Sequence, residues 1–264
     1  MLSTKPIGVF DSGVGGTSIW KEIINTLPYE NTIYLADIHN APYGERSPQE
    51  IIELSIKNTE KLLKFECKLI VVACNTATTN AIDILRRDYK VPFIGIEPAI
   101  KPAALASKSK AIGILATKGT LSSSLFNRTS ELYASNLKVI EVVGKGLVEL
   151  IEADQIDSSE MHILLESYIK PMLDEKIDYL VLGCSHYPYL IPILKKMLPT
   201  EVQIIDSGRA VALQTQNILR KTNLLNSAKK QGNHKLYSNA ATGVLEKLSY
   251  SENNGKIRVS YLDF

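Results

Sequence analysis

The sequence predicts an α/β protein with two similar open parallel-sheet domains, related by internal duplication, and an active site in the cleft between them. Short apolar runs alternate with helix-compatible segments, which is typical of parallel sheets covered by helices. An apolar run that ends at Cys74 also has a counterpart 110 residues later (184 − 74), where a similar run ends at Cys184. This repeat indicates that each half of the chain contributes one cysteine.

Length and composition are those of an ordinary globular protein. The chain has 264 residues, and its 30 Lys and Arg against 28 Asp and Glu give a net charge of +2. Because no basic cluster is longer than Lys229-Lys230, we expect no nucleic-acid partner. The three cysteines make no disulfide framework, and no apolar run reaches the roughly 18 residues of a membrane span. We therefore expect a soluble, cytoplasmic protein with no signal peptide.

The first half opens with a predicted strand over residues 7–10, a glycine-rich turn and a helix over residues 17–27. The turn is a poor dinucleotide fingerprint, because Ser18 stands where the third glycine should be. Its glycines are better suited to bring backbone N–H groups close to a small anion, with Asp11 and Ser12 as polar contacts. The same two side chains are equally typical of a helix cap.

A polar loop with Asp37, His39 and Tyr43 follows the second predicted strand, and loops of this kind often carry binding sites. A Ser47 cap then predicts the start of a long helix. Cys67 lies at the opposite end of its strand from Cys74, so we expect an inert thiol there. The predicted elements of this half are strands 32–35, 69–73 and 91–96 and helices that end near residues 65, 87 and 106.

The second half repeats this order, with a hydroxyl-rich turn at Thr117 in place of the first glycine-rich turn. The predicted elements are strands 112–115, 137–143, 180–184 and 202–205, a short helix 146–153, a long helix that starts at Asp157-Ser158-Ser159-Glu160 and a helix 189–198. A helix over residues 210–225, a polar stretch over 226–234 and a strand-like segment over 257–261 remain. The repeat is complete near residue 206, so we expect this tail to return to the first domain. The predicted domains are 1–97 with 208–264, and 98–207.

Each cysteine follows a buried strand, at the edge where open α/β sheets bind ligands. A thiol before a helix is close to unpaired N–H groups and to the helix dipole, so we expect its pKa to be lowered. Two thiols on opposite walls of a cleft can remove a proton from one face of a carbon and deliver another to the opposite face. This chemistry inverts a stereocentre.

The same residues allow three other interpretations. Zinc needs about four ligands, whereas Cys184 and His186 supply two and the chain has only four histidines, so we expect no metal. A Cys184 nucleophile with His186 as its base is chemically sound, but it leaves Cys74 and the duplication unexplained. A duplicated module that binds amino acids without catalysis needs no thiol at either strand end.

Four linked motifs, in this order and at this spacing, resemble those of glutamate racemases. They are Phe10-Asp11-Ser12-Gly13-Val14-Gly15-Gly16, Pro42-Tyr43-Gly44, Ala73-Cys74-Asn75-Thr76 and Gly183-Cys184-Ser185-His186-Tyr187-Pro188. The similarity runs from about residue 7 to residue 210.

The resemblance implies a cofactor-independent isomerase that interconverts L- and D-glutamate and supplies D-glutamate for peptidoglycan synthesis, and so for cell-wall biogenesis and cell shape. It implies no pyridoxal phosphate, no metal and, as is common in the family, a homodimer. Related aspartate racemases share the two-cysteine plan, so the preference for glutamate rests on the resemblance alone.

The resemblance also implies roles for single residues. Cys74 would deprotonate D-glutamate with help from Asp11, and Cys184 would deprotonate L-glutamate with help from His186. Glu152 matches the helper glutamate of the family, with Glu149 as the alternative. Ser185 stands where the family usually has Thr, which keeps the hydroxyl and loses a methyl group. The implied substrate contacts are Asp11, Ser12, Tyr43, Gly44, Asn75, Thr76, Thr117, Ser185 and His186.

Overall fold

The structure, a computed structural model, describes residues 4–228, 230–250 and 256–264. Lys229 of the basic pair and parts of the predicted first domain lie outside these residues. The described strands are β1 Ile7–Asp11, β2 Thr32–Ala36, β3 Leu69–Val72, β4 Phe93–Gly95, β5 Ala111–Ala116, β6 Lys138–Val143, β7 Tyr179–Gly183, β8 Gln203–Ile205, β9 Asn233–Ser238 and β10 Lys256–Tyr261. The described α-helices are α1 Thr17–Thr26, α2 Pro48–Lys64, α3 Asn75–Asp88, α4 Ile100–Ala106, α5 Lys118–Leu121, α6 Ser124–Ala134, α7 Leu147–Glu152, α8 Ser159–Asp174, α9 Ile191–Met197, α10 Gly208–Lys221 and α11 Gly243–Ser249.

The strands form two parallel sheets with the same internal order. The larger sheet has the order β10-β9-β2-β1-β3-β4, and the smaller has the order β6-β5-β7-β8. The described strand pairs are parallel in both sheets. The segment β2-β1-β3-β4 therefore matches β6-β5-β7-β8, as the internal repeat predicts, and the α/β class with parallel sheets is confirmed.

In each sheet the strand order reverses next to the first strand of the repeat. The chain moves from β1 to β2 on one side and then to β3 on the other, and β5, β6 and β7 follow the same course. Open α/β sheets bind ligands at such reversals, beyond the carboxyl ends of the strands. Asp11 and Cys74 occupy this position in the larger sheet, and Thr117 and Cys184 occupy it in the smaller.

The central strands are apolar because helices cover both faces of the sheet. Every residue of β1 and β3 is buried, so these strands show the continuous apolar runs that predict them. The predicted start of α2 is also confirmed, since Ser47 and Glu50 form a complete capping box.

The tail departs from the prediction. The polar stretch 226–234 ends inside β9, which pairs with β2, and β10 pairs with β9 at the edge of the larger sheet. Helices α5, α6 and α11 also lack a counterpart in the sequence analysis. In β9 buried and exposed residues largely alternate, and polar side chains such as His234 and Ser238 fill part of the buried face, so no apolar run marks it. The domain boundaries themselves remain a prediction.

No helix within the described residues is long and apolar enough to cross a membrane.

Candidate active site

A small cavity lies where the carboxyl ends of the two sheets face each other. Its volume is about 10 Å³, which is room for about one water molecule. Cys74 reaches it from the larger sheet and Cys184 from the smaller one. The residues that line it are Ser12, Pro42, Tyr43, Gly44, Cys74, Asn75, Thr76, Thr117, Val148, Cys184, Ser185 and His186. Ten of these twelve are site residues predicted from the sequence.

Cys74 is the N-cap residue of α3. Its sulfur accepts a hydrogen bond from the Ala77 N–H at 3.4 Å, and its thiol donates to Ser12 Oγ at 3.7 Å. Burial, followed by the negative charge of Asp11, raises the pKa of this thiol, and the Ala77 and Ser12 contacts oppose the rise without cancelling it. The expectation of a lowered pKa is therefore wrong for Cys74, because desolvation outweighs the helix terminus.

Cys184 lies next to a histidine that a carboxylate holds in place. His186 Nδ1 is 3.8 Å from the Cys184 sulfur, and His186 Nε2 is 2.6 Å from Glu152 Oε1. Burial alone would lower the pKa of His186, but its hydrogen bonds and charge interactions with Cys184 and Glu152 raise the pKa well above the usual value. His186 thus lies between the Cys184 sulfur and the Glu152 carboxylate.

The two candidate helper glutamates lie in different surroundings. Glu152, on α7, contacts His186 and accepts the Val14 N–H at 2.7 Å. Glu149 is exposed and faces a neighbouring cavity. The Gly15 N–H also lies 3.2 Å from His186 Nε2, but that nitrogen cannot accept from Gly15 while it donates to Glu152. The Nε2–H group therefore donates to Glu152, which is the shorter, charge-assisted contact.

Asp11 connects the two halves of the site. Its Oδ2 accepts the N–H groups of Gly16 at 2.8 Å and Gly13 at 3.3 Å, and its Oδ1 accepts the Ser185 hydroxyl at 3.2 Å. Burial raises the pKa of Asp11, although His186 and the Gly16 N–H act in the opposite direction. Asp11 is fully buried and is not among the residues that line the cavity. Its predicted contact with substrate is therefore indirect in this structure, through Ser185.

The glycine-rich turn serves anions of the protein itself. The Val14 N–H donates to Glu152, and the Gly13 and Gly16 N–H groups donate to Asp11. Tyr34 supports the turn by donating its hydroxyl to the Gly13 carbonyl at 2.8 Å. The predicted close approach of backbone N–H groups to an anion is thus present, and the anions are two carboxylates.

The remaining predicted contacts offer polar groups to the cavity. Both polar atoms of the buried Asn75 amide lack a hydrogen-bond partner among the described residues. Thr76 Oγ1 lies 2.8 Å from Thr117 Oγ1, which links the two sheets across the cavity. Unpaired buried amides are unfavourable, so Asn75 is a strong candidate for a group that binds a polar ligand.

Two residues that line the cavity, Pro42 and Val148, were not singled out as site residues. Val148 lies one helical turn before Glu152 on α7, so the i, i+4 spacing was the signal that could have found it. Pro42 belongs to the motif that contains Tyr43 and Gly44.

Metal binding is a separate question in the sequence. Within the described residues, no group of three or more His, Cys, Asp and Glu side chains could hold a metal ion.

The third cysteine, Cys67, is buried away from the cavity. Its sulfur lies 3.0 Å from where a Cβ on Gly8 would lie, and burial raises its pKa to about 12. Because Cys67 is not among the residues that line the cavity, its thiol has no contact with a ligand bound there.

Comparisons with known proteins agree with one another. A family model described as Asp/Glu/Hydantoin racemase matches residues 7–215. A glutamate racemase of Pseudomonas syringae pv. tomato is 46% identical over 223 residues, which cover 84% of this chain and 81% of that relative. A glutamate racemase isoform of Bacillus anthracis superimposes with a TM-score of 0.86 at 31% identity, covering 98% of this chain and 97% of that one. The Escherichia coli glutamate racemase, solved with L-glutamate and the activator UDP-MurNAc-Ala, gives a TM-score of 0.84 at 31% identity, with 98% of each chain covered.

Proposed function

The chain belongs to the Asp/Glu/hydantoin racemase family, and from this membership we propose that it inverts glutamate with Cys74 and Cys184 as its two acid–base groups. It is an isomerase that interconverts L- and D-glutamate. The observation that carries the proposal is that one thiol from each sheet lines the same small cavity. General acid–base catalysis requires such proximity, because protons are transferred over hydrogen-bond distances.

Conversion of L-glutamate begins with the Cys184 thiolate. It takes the α-proton, so the C–H bond breaks and an S–H bond forms, and the Cys74 thiol then gives its proton to the opposite face of the carbon. The D-glutamate product leaves the two thiols with exchanged protonation states. In the reverse direction Cys74 is the base and Cys184 the acid.

The neighbours of each sulfur match these roles. The His186 imidazolium, held by Glu152, is placed to balance negative charge on the Cys184 sulfur. The charge of Asp11 contributes to the raised pKa of Cys74, which makes this sulfur a stronger base and keeps its proton in place until the carbanion forms. Each thiol thus has its own charged helper, Asp11 for Cys74 and His186 with Glu152 for Cys184.

The polar wall of the cavity suits an amino acid with two carboxylates. Asn75 offers an unpaired amide, Ser12 and Ser185 offer hydroxyls, and Thr76 and Thr117 form a hydroxyl pair. Tyr43 and Gly44 close the wall from the loop after β2. A cavity of about 10 Å³ is too small for glutamate, so we infer that the two sheets move apart to admit it and close again before proton transfer.

The experiment that tests the function is an assay of racemisation by chiral chromatography, with L- and D-glutamate and both enantiomers of aspartate. We expect glutamate to be inverted from both directions and aspartate to be inverted far more slowly. Faster inversion of aspartate would assign the substrate differently. Binding of glutamate without inversion would favour the non-catalytic module.

The proposed reaction has no step for a cofactor, because the two thiols supply both proton transfers. We expect extensive chelation and dialysis to leave the rate unchanged. Activity that is lost on dialysis and restored by pyridoxal phosphate would contradict the two-thiol mechanism.

We place this reaction in the cytoplasm, in the supply of D-glutamate for peptidoglycan. The three cysteines are unpaired and buried, which suits a reducing compartment. A homodimer remains a prediction, and light scattering of the purified protein would measure it.

A further inference from the structure

A cluster of buried polar side chains lies behind Tyr43, and the mechanism above assigns it no role. Its centre is Asp37, which follows β2 and is 1% exposed. Its carboxylate accepts hydrogen bonds from Tyr43 Oη, Asn40 Nδ2 at 2.8 Å, Asn58 Nδ2 at 3.3 Å and Asn239 Nδ2 at 2.6 Å. Four neutral donors from three parts of the chain thus converge on one buried carboxylate, which compensates for its loss of hydration.

The hydroxyl of Tyr43 is committed to this cluster. It donates its single proton to Asp37 and accepts a hydrogen bond from Asn58 Nδ2 at 3.0 Å. The hydroxyl therefore has no proton left for a ligand, although Tyr43 lines the cavity. Its hydroxyl acts as an anchor, and the residue contributes to the cavity wall.

The orientation of Asn58 supports this interpretation. Its amide nitrogen serves both Asp37 and Tyr43, whereas its buried oxygen has no partner among the described residues. An unpaired buried oxygen is unfavourable, so the packing maintains this orientation in spite of its cost. The cluster is arranged to supply donors to Asp37 and Tyr43.

The turn that Tyr43 anchors has little freedom on its other side. A Cβ on Gly44 would lie 3.0 Å from the Thr117 Cβ, and a Cβ on Gly119 would lie 3.2 Å from the Gly44 carbonyl oxygen. A small movement of Tyr43 would therefore change the contact between the two sheets at the cavity wall.

The tail of the chain holds the cluster from the outside. Asn239, just after β9, donates to Asp37 and accepts the His39 N–H at 2.9 Å. It thereby fixes both ends of the short segment from Asp37 to His39, from a position about 200 residues later in the sequence.

We propose that Asp37 is a positioning residue for substrate binding, which acts through the Tyr43 hydroxyl to fix the Tyr43–Gly44 turn at the cavity wall. Asn239 keeps the Asp37 carboxylate in place. This inference rests on the proposed function, because it concerns how the same cavity binds glutamate.

The test is a double-mutant cycle on the KM for glutamate, with Asp37→Asn, Tyr43→Phe and the double variant. We expect each single change to raise KM about tenfold, the size of one lost charge-assisted hydrogen bond, while kcat falls less than about threefold. The double variant should resemble the single variants, since both changes remove the same anchor. Tyr43→Phe removes a single oxygen atom, so it tests the anchor even if Asp37→Asn fails to fold.

The matched control is Asp178→Asn. Asp178 also accepts hydrogen bonds from a loop, at Ser107 Oγ, Lys108 N and Ser109 N, but it precedes β7 at the far end of the strand from the cavity. We expect its KM to equal that of the wild type. A Tyr43→Phe KM within twofold of wild type would overturn the inference, as would multiplied effects in the double variant or an equal rise in Asp178→Asn. Wild-type racemisation is measured first, so its absence would identify a failure of the proposed function instead.

Discussion

The two cysteines that line the cavity have unlike neighbours. Cys74 has Ser12 and the Ala77 N–H within hydrogen-bond distance, while the negative charge of Asp11 contributes to its raised pKa. Cys184 has His186 beside it, and the other ring nitrogen of His186 contacts the Glu152 carboxylate. Since we propose that each thiol serves one face of the substrate carbon, we expect the removal of one thiol to affect the two enantiomers differently.

Cys184→Ala and Cys74→Ala test this separation. Either change should abolish racemisation, because one face of the carbon loses its acid–base group. In deuterated water, Cys184→Ala should introduce deuterium at the α-carbon of D-glutamate through the remaining Cys74. Cys74→Ala should introduce it into L-glutamate through Cys184. The label is read by mass spectrometry after chiral separation. Labelling of the same enantiomer by both variants, or near wild-type racemisation by either, would contradict one base per face.

Glu152→Gln tests the charge behind His186. The loss of the negative charge should lower the pKa of His186, so the alkaline limb of the pH profile of kcat/KM should move to lower pH. Because the two enantiomers have equal free energy, kcat/KM must fall equally in both directions, by about 10- to 100-fold.

Glu149→Gln is the control for this change, since Glu149 lies on the same helix and is exposed. We expect its rate within twofold of wild type and its pH profile unchanged. The assignment of the helper glutamate would be reversed if Glu149→Gln were the variant with the shifted profile.

The turn between β1 and α1 is the element that joins the larger sheet to the helpers of the smaller one. Sequence periodicity predicts the strand, the turn and the helix, because buried parallel strands and amphipathic helices leave clear patterns. It cannot identify the carboxylate that the Val14 N–H binds, since Glu152 lies 138 residues later and only the packing of the sheets brings it there. The glycine-rich turn thus predicts that backbone N–H groups bind an anion, but only the fold shows that one of these anions is the Glu152 carboxylate.

Gly15→Ala tests the close approach in this turn. A Cβ on Gly15 would lie 2.2 Å from His186 Nδ1, so the imidazole must move away from Cys184 or Glu152. We expect kcat/KM to fall at least about 100-fold, since positioned proton transfer contributes that much.

Gly243→Ala is the matched control. Among the described residues, no atom lies within 4 Å of a Cβ at this position, which is the first residue of α11. Activity should be unchanged, and stability should be equal or slightly higher because Ala favours helices. If Gly15→Ala kept wild-type activity with an unchanged thermal midpoint, the close packing of this turn on His186 would not matter for catalysis.

At the scale of the whole molecule, the tail is tied to the first part of the chain through a buried histidine. His234 Nδ1 on β9 lies 2.9 Å from Thr32 Oγ1 on β2, and the same oxygen accepts the Trp20 Nε1–H at 2.8 Å. The threonine proton is thus directed to a neutral imidazole. The sequence predicts that the tail returns to the first domain, but it does not predict β9, because polar side chains such as His234 occupy part of the buried face.

This arrangement predicts a pH dependence of stability. Burial lowers the pKa of His234 to about 4, below the ordinary value of 6.5, so the unfolded state binds more protons between these pH values. The unfolding free energy therefore includes the full contribution of neutral His234 above pH 6.5, and this contribution is lost as the pH falls toward 4. This difference in pKa corresponds to about 3 kcal/mol of unfolding free energy.

Urea unfolding at several pH values would measure this dependence. His234→Gln should show a smaller loss of unfolding free energy from pH 6.5 to pH 4 than the wild type, whatever its absolute stability. His162→Gln, an exposed position on α8, should keep the wild-type slope. Equal slopes for the wild type and His234→Gln would assign the acid sensitivity to other groups.

The strand order also sets a sequence of events during synthesis. The smaller sheet is complete once residue 205 has left the ribosome, whereas the larger sheet waits for β9 and β10, which follow residue 232. The second repeat can therefore fold while the first still has an open edge at β2, and an unpaired strand edge invites pairing with other chains. A nascent chain that stalls between these points would hold both cysteine loops and one finished sheet, with β2 exposed to aggregation.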